Sequence, residues 1–446
     1  MQSRPASAAG GRLRVNWFSP LLPARTDIAH YTARVIPALS EVLDVTIWTD
    51  QEKWDRNIEQ YCKVRWYDKE HVSWLELYQG GLTFYNIGNN ADFHLGIWHV
   101  CRKHRGIMVL HDIALQEFFA YCYRWVWGDK EGYLAKMAHY YGEDARRDGD
   151  LFWQDRLKID CLVERYPFTQ VALEQGLAAI VHNDQAIPAD MSDTCGIVPL
   201  PLPYVAHQWP GASDRWTRSD PLRLVIFGYI SRNRRMEAVL EALGRYPHPF
   251  QLDMYGQYWD PEYIRGLIRS LRLEDRVRLR GFVPEAELDA ALEQAHLAFN
   301  LRFPTMGESS GSQLRIWDHS LASLVTPVGW YARLPKDSVG FARVDHEIED
   351  IHAHLDRLRA DPAAYREMGR CGRKILESVH SPHAYARRIR DLVARAGDLY
   401  RRAAAFQTAD QVVDVMGRWI TRSAAETLVG DSAEQILRLT GDGGVR

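Results

Sequence analysis

Cysteine is scarce and scattered in this 446-residue chain, with six thiols at Cys62, Cys101, Cys122, Cys161, Cys195 and Cys371 and no C-x-x-C pair. That excludes a disulfide framework and a thiolate zinc site, and it points to a reducing cytoplasm. Long apolar runs are missing too; none approaches the roughly 18–20 residues that span a bilayer. An excess of one charge is also lacking. Lys and Arg number 55 against 58 Asp and Glu, a net −3, which speaks against a general nucleic-acid binder. No G-x-G-x-x-G follows the first strand signal, which disfavours a dinucleotide-binding dehydrogenase. Solenoid repeats and low-complexity tracts are absent. Residues 1–11, MQSRPASAAGG, carry no secretory apolar stretch and read as a flexible tail.

What remains is the composition of an ordinary folded chain, 46% hydrophobic and 25% charged, long enough for two or three domains. Strand and helix signals alternate along nearly the whole length, so the expectation is α/β with parallel sheets. The first series comprises LRVNWF, VTIWT, LTFYNIG, GIMVLHD, AAIVHN and GIVPLPLP. A polar, turn-rich stretch at 207–221 reads as a linker. The second series comprises LRLVIFGYI, FQLDMYG, VRLRGFV, LAFNLR and LVTPV. The boundaries follow: a domain at 12–206, another at 222–382, and a helical tail at 383–446. In that tail the arginines first suggest a solvated helix face, with acidic lipid headgroups at the inner membrane surface as the second reading. The aromatic block Phe118–Trp153 reads first as core packing, and second as an acceptor platform or a membrane-facing patch.

Several loops at strand ends carry chemistry. In RFPTMGESSGSQLR, small residues at Ser309, Ser310, Gly311 and Ser312 open a helix whose first N–H groups suit an anion. Glu308 beside a phosphate makes sense only if it binds neutral hydroxyls attached to that phosphate. Phosphate plus polyol describes a nucleotide sugar, although the same stretch also reads as a capped helix start with a Ser N-cap. Arg232, Arg234 and Arg235 leave the strand VIFGYI, as a diphosphate clamp or as a solvated basic loop. Phe282 and Val283 stand where terminal backbone groups of a strand can pair with a base edge. In the first half, His111 and Asp112 end the strand VLHD, and the loops PARTD and GNNADFH present Thr26, Asp27, Asn89, Asn90 and His94. A lone histidine at such a place is also commonly a bystander.

Taken together, PARTDIAHY, GNNADFH, VLHD, VIFGYISRNRR, LDMYG, RGFVPEAEL and RFPTMGESSGSQLR resemble glycosyltransferase family 4 over about residues 12–395. The resemblance implies the GT-B fold, two Rossmann-like domains with parallel sheets facing across a cleft. It implies retaining transfer of a sugar from a nucleotide-diphosphate sugar, without a metal or other cofactor. The acceptor would be a hydroxyl of a glycan, a lipid-linked glycan or a small molecule. By position, Glu308 and His111 match residues that contact the donor sugar, and Arg234 stands where a phosphate-binding lysine is common. Tyr229 replaces the usual arginine after the strand's glycine, with Arg232 as a substitute. Thr26, Asp27, Asn89, Asn90 and Asp112 fall on the acceptor side. The second motif glutamate is replaced by Ile316, leaving Asp318 as a candidate ribose ligand. That departure keeps open a nucleotide-sugar 2-epimerase and a non-catalytic nucleotide-sugar-binding subunit.

Overall fold

Buried strands in both halves carry apolar residues on both faces, the pattern of a sheet covered by helices on each side. In β1 (Arg14–Phe18) Val15 and Trp17 enter one core cluster and Phe18 another. A computed structural model describes residues 12–68, 71–163, 165–183, 195–209 and 221–416. The flexible tail expected at 1–11, most of the linker and the end of the helical tail lie outside them.

The chain divides into two compact units. One holds the residues up to Pro203 together with those from Pro382 onward, and the other runs Tyr204–Ser381. The first unit contains β1, β2 (Asp44–Thr49), β3 (Lys63–Trp66), β4 (Leu82–Ile87), β5 (Gly106–Leu110), β6 (Gly176–Val181) and β7 (Gly196–Pro199), all parallel, in the order β3-β2-β1-β4-β5-β6-β7. The second contains β8 (Leu222–Phe227), β9 (Phe250–Tyr255), β10 (Val277–Gly281), β11 (Leu297–Asn300), β12 (Ser323–Val325) and β13 (Gly340–Phe341), also parallel, in the order β10-β9-β8-β11-β12-β13. Both sheets therefore reverse direction of growth at one place, between β1 and β4 and between β8 and β11. At such a reversal the loops leaving the two central strands diverge and open a crevice at the carboxyl ends.

Eleven of these thirteen strands coincide with the sequence signals. The other two are edge strands with little to announce them. β3 is largely solvent-facing, and β13 is two residues long.

The C-terminal helices have a definite place. Helix Pro382–Ala394 buries Tyr385, Ala386, Ile389, Leu392 and Val393, which join the core cluster of β1, β2, β4, β5 and β6. Its arginines Arg387, Arg388 and Arg390 are exposed. The arginine-rich face is thus the solvated side of an amphipathic helix whose other side seals the first unit. Ile389→Ala should cost about 2–4 kcal/mol, the scale of a large-to-small core truncation. Arg387→Glu should stay within about 0.5 kcal/mol. Urea denaturation followed by tryptophan fluorescence distinguishes the two.

Candidate functional site

In the second unit, β8 ends at Phe227 and the chain turns through Gly228, whose φ of 104° is open to glycine and strained for other residues. A Cβ there would lie 3.0 Å from Arg234 Nη2 and 3.5 Å from Ser312 Oγ, so backbone, guanidinium and hydroxyl border one small space. Arg234 is buried at 4% exposure; its Nε donates to the Tyr229 carbonyl at 3.3 Å and its Nη1 to Asn300 Oδ1 at 2.7 Å. Asn300 closes β11 and donates from Nδ2 to Ser310 Oγ at 3.3 Å and Gln313 Oε1 at 3.0 Å. Ser310 caps helix Gly311–Asp318 by accepting from the Gln313 N–H at 3.1 Å. The cap reading and the anion reading of GESSGS hold together here. Ser310 secures the Gln313 amide, and Ser312 in the same first turn brings its Oγ to the space beside Gly228.

Glu308 sits in the same loop at 7% exposure. Its Oε2 accepts from Thr305 Oγ1 at 3.0 Å and from the Met306 N–H at 2.7 Å, while Arg302 Nη1 stands 2.7 Å from Oε1. Oε1 accepts no aligned hydrogen bond among the described residues, so the oxygen keeps a lone pair for a hydroxyl. Ser309, half-buried, lies between Glu308 and the cap.

The remaining candidates of this unit are dispersed. Arg235 turns to Glu347, with Nη2 and Nε 2.5 and 2.6 Å from Oε1. The Arg232 guanidinium stacks over Trp259 at 4.4 Å, and both arginines border a cavity of about 540 Å³ whose other charged walls include Glu237, Glu241 and Asp345. The clamp of three arginines expected from sequence thus reduces, in the contacts described, to Arg234. Asp318 is 1% exposed, and its carboxylate accepts from the His207 N–H at 2.8 Å, Trp209 Nε1 at 3.0 Å and Arg373 Nη1 at 2.8 Å, with His207 Nδ1 at 2.9 Å. Its role is to tie the segment around His207 to the end of the helix, which leaves it no free edge for a ribose. Ile316 is buried in the cluster of Val225, Phe227 and Ala298. Phe282 is exposed at 63%, and Val283 packs against that same cluster.

In the first unit the loops after β4 and β5 meet. Asn89 donates its N–H to Asp112 Oδ2 at 2.8 Å and its Nδ2 to Glu117 Oε2 at 2.8 Å, and its Oδ1 accepts from the Phe118 N–H at 2.9 Å. A Cβ on Gly88 would lie 3.0 Å from His94 Nε2 and 3.2 Å from Asp112 Oδ2. His111 pairs with Asn86 Oδ1 at 3.1 Å, meets the Tyr31 ring edge-on at 4.6 Å and lies 5.1 Å from His182. Burial first, then the neighbouring His182 and His94, hold His111 well below its ordinary range, so it is a neutral imidazole. Thr26 and Asn90 cap helices Asp27–Val42 and Ala91–Cys101, accepting from the Ile28 N–H at 3.4 Å and the Asp92 N–H at 2.9 Å. Asp27 is exposed in the first turn behind Thr26.

No protein-family model matches this chain, and no curated protein does. Solved structures do. Sucrose-phosphate synthase from Thermosynechococcus elongatus is 15% identical with a TM-score of 0.59, covering 87% of this chain and 100% of its own. HepE from Anabaena in complex with UDP and glucose is 12% identical with a TM-score of 0.58, covering 86% and 100%. WaaG, a glycosyltransferase involved in lipopolysaccharide biosynthesis, is 14% identical with a TM-score of 0.54, covering 83% and 98%. The fold is GT-B. Two parallel-sheet α/β domains were the expectation from sequence, and they are what the chain has.

Sequence reasoning missed Asn300, Gly228, Arg302 and Thr305. Asn300 had a signal, a lone amide closing the apolar run LAFN, and Gly228 had another, a glycine at the end of LRLVIF. Among the described residues no group of three or more His, Cys, Asp or Glu is placed to hold a metal ion. No helix among them is long and apolar enough to cross a membrane.

The buried histidines give the first unit a pH signature. Burial lowers His94 from 6.5 to about 4, against the upward pull of its bond to the Asn86 carbonyl. Between those two values the unfolded chain binds a proton that the folded one does not, so stability rises with pH there and falls on acidification. His94 alone contributes a slope of up to about 1.4 kcal/mol per pH unit. Urea titrations from pH 7 to pH 4 should show unfolding free energy declining, with a shallower decline in His94→Gln.

Proposed function

We propose that this chain is a glycosyltransferase that moves a sugar from a nucleoside-diphosphate sugar to an acceptor hydroxyl, in the manner of glycosyltransferase family 4. The observation that carries the reading is the set built around Gly228. A backbone without a side chain, a buried guanidinium and a hydroxyl in the first turn of a helix border one space, with a carboxylate in the adjoining loop. That combination suits a diphosphate joined to a polyol. HepE, of the same fold, has been solved with UDP-glucose, and the chemistry of the donor set here is compatible with such a ligand.

On this reading Arg234, Ser312 and the amides of Gly311 and Ser312 take the diphosphate, and Glu308 Oε1 accepts a hydroxyl of the donor sugar. Arg232 lies near enough in sequence to join if the loop rearranges on binding. Phe282 offers an exposed ring to the base. In the first unit His111 hydrogen-bonds a hydroxyl of the donor sugar, and Asn89 and Asp112 order the loop beside it. The glycosidic C1–O bond breaks as negative charge grows on the diphosphate, which the guanidinium and amides stabilise. The acceptor oxygen bonds to C1 from the face the diphosphate leaves, and its proton passes to a phosphate oxygen. Configuration is thereby retained and no protein base is required. The positive charge comes from Arg234 and the helix, so the reading calls for no metal ion.

Ile316 favours one second reading. With an apolar side chain buried where a carboxylate would grip the ribose, the nucleoside is held differently from the family pattern, or the chain binds a nucleotide sugar without turning it over.

Arg234→Ala should lower turnover by about 10²–10³-fold, the scale of a lost transition-state donor, and weaken nucleoside-diphosphate affinity. Glu308→Gln should abolish transfer and donor hydrolysis while leaving nucleoside-diphosphate affinity within about threefold, because the charge it removes faces the donor sugar and Arg302 rather than the diphosphate. Calorimetry with UDP, GDP and dTDP, together with hydrolysis of their glucose esters, reads both. Binding without turnover of any donor would favour the non-catalytic reading. Failure of all three diphosphates to bind would remove the proposal.

A further inference from the structure

A strip of side chains in the first unit runs from the strand-end cluster to solvent. Glu117 and Tyr121 stand four residues apart in helix Gln116–Tyr121 and so share a face. The Tyr121 ring lies 5.6 Å from that of Trp125, which belongs to the π-helical turn Cys122–Trp127. Such wide turns are rare and gather at functional sites. Tyr121 is 42% and Trp125 59% exposed, whereas Phe118 and Phe119 on the same segment are buried as core. Trp125 is also held. The Arg124 guanidinium lies 5.0 Å from its ring, and Arg124 is itself fixed by the Phe152 carbonyl at 2.9 Å and by both Asp155 oxygens at 2.8 Å. At the inner end, Glu117 and Asn89 are hydrogen-bonded to each other and, through the Asn89 N–H, to Asp112.

We propose that this strip is an acceptor subsite for a neutral saccharide chain, with Tyr121 and Trp125 as stacking faces and Glu117 and Asn89 as hydroxyl partners. It deepens the glycosyl-transfer reading and rests on it. A sugar ring has an apolar C–H face and a rim of hydroxyls, and the strip pairs aromatic faces with a carboxylate and an amide. The two rings tilt against each other and are each partly open to solvent, which leaves apolar surface for a sugar unit. The charge balance turns away the other occupant of an exposed aromatic patch, an anionic bilayer. Residues 116–165 carry ten Asp and Glu against eight Lys and Arg, and Arg124, Lys130, Arg146 and Arg165 are each paired with a carboxylate.

The full chain is titrated with maltohexaose, cellohexaose, chitohexaose and mannohexaose, read by tryptophan fluorescence and calorimetry, and with phosphatidylglycerol/phosphatidylethanolamine vesicles by sedimentation. At least one hexasaccharide should bind. Trp125→Ala and Tyr121→Ala should each weaken it by about tenfold, and Glu117→Gln should weaken it as well. Tyr61→Ala, an exposed aromatic beside β3, should bind as the parent does, with circular dichroism confirming that all variants fold. Absence of hexasaccharide binding, parental affinity in Trp125→Ala, or vesicle binding lost in Trp125→Ala without saccharide binding would each overturn the subsite. Binding of UDP, GDP and dTDP to the parent protein is measured alongside. If any of the three diphosphates binds and no saccharide does, the subsite alone fails; if none of the three binds, the glycosyl-transfer reading fails.

Discussion

One buried amide organises the second unit's strand ends. Asn300, 1% exposed, accepts from Arg234 on one side and donates to Ser310 and Gln313 on the other. Each hydrogen-bonding position of a buried amide must be filled or it costs stability. Filling these positions fixes three segments at once: the turn after β8, the end of β11 and the cap of helix Gly311–Asp318. The cap holds the first turn of the helix with Ser312 Oγ beside Gly228, and the guanidinium is held at the same place. An apolar residue at 300 would pack as well, but it would leave the arginine and the cap with nothing to share.

The same requirement separates what the sequence revealed from what it hid. Sheet-forming runs are continuous apolar stretches, so the α/β class and eleven strands were legible from LRLVIF or GIMVL alone. Placement of the candidate loops at strand ends could be read as well, because each follows an apolar run; the strand order that brings two of them together could not. What a side chain does once there depends on which neighbour reaches it first. Asp318 looked like a carboxylate in search of a hydroxyl, yet His207, Trp209 and Arg373 saturate it. Arg235 looked like part of a phosphate clamp, yet a left-handed φ of 57° turns it into an ion pair with buried Glu347. Neither partner is near in sequence, and neither leaves a local signal. Asn300 was missed for the opposite reason: its signal, a single amide closing an apolar run, matches no motif.

Ile316 and Asp318 belong to one change. On an eight-residue helix, positions two apart lie roughly on opposite sides, and here one side faces the sheet while the other faces the segment around His207 and Trp209. Ile316 fills the sheet side among Val225, Phe227 and Ala298. A carboxylate at that spot would be buried against apolar strand residues and would demand a partner. The aspartate two residues on meets a set of donors instead. The helix therefore anchors its own neighbours at its C-terminal end and presents amides at its N-terminal end. Phe282 and Tyr229, just after strand ends of the same unit, expose their rings.

In the first unit, stability and the strand-end cluster share residues. Tyr385 leaves helix Pro382–Ala394 to meet Tyr31 hydroxyl to hydroxyl at 2.7 Å, and the Tyr31 ring lies edge-on against His111. The packing that seals the core with the chain's last described helices therefore also walls in the imidazole and helps keep it uncharged. A charged imidazole there would have to be desolvated beside His182 and His94, and burial makes that expensive. Burial there disfavours the charged form, and with Nε2 donating to Asn86 Oδ1 the Nδ1 of a neutral ring is left to accept from a hydroxyl.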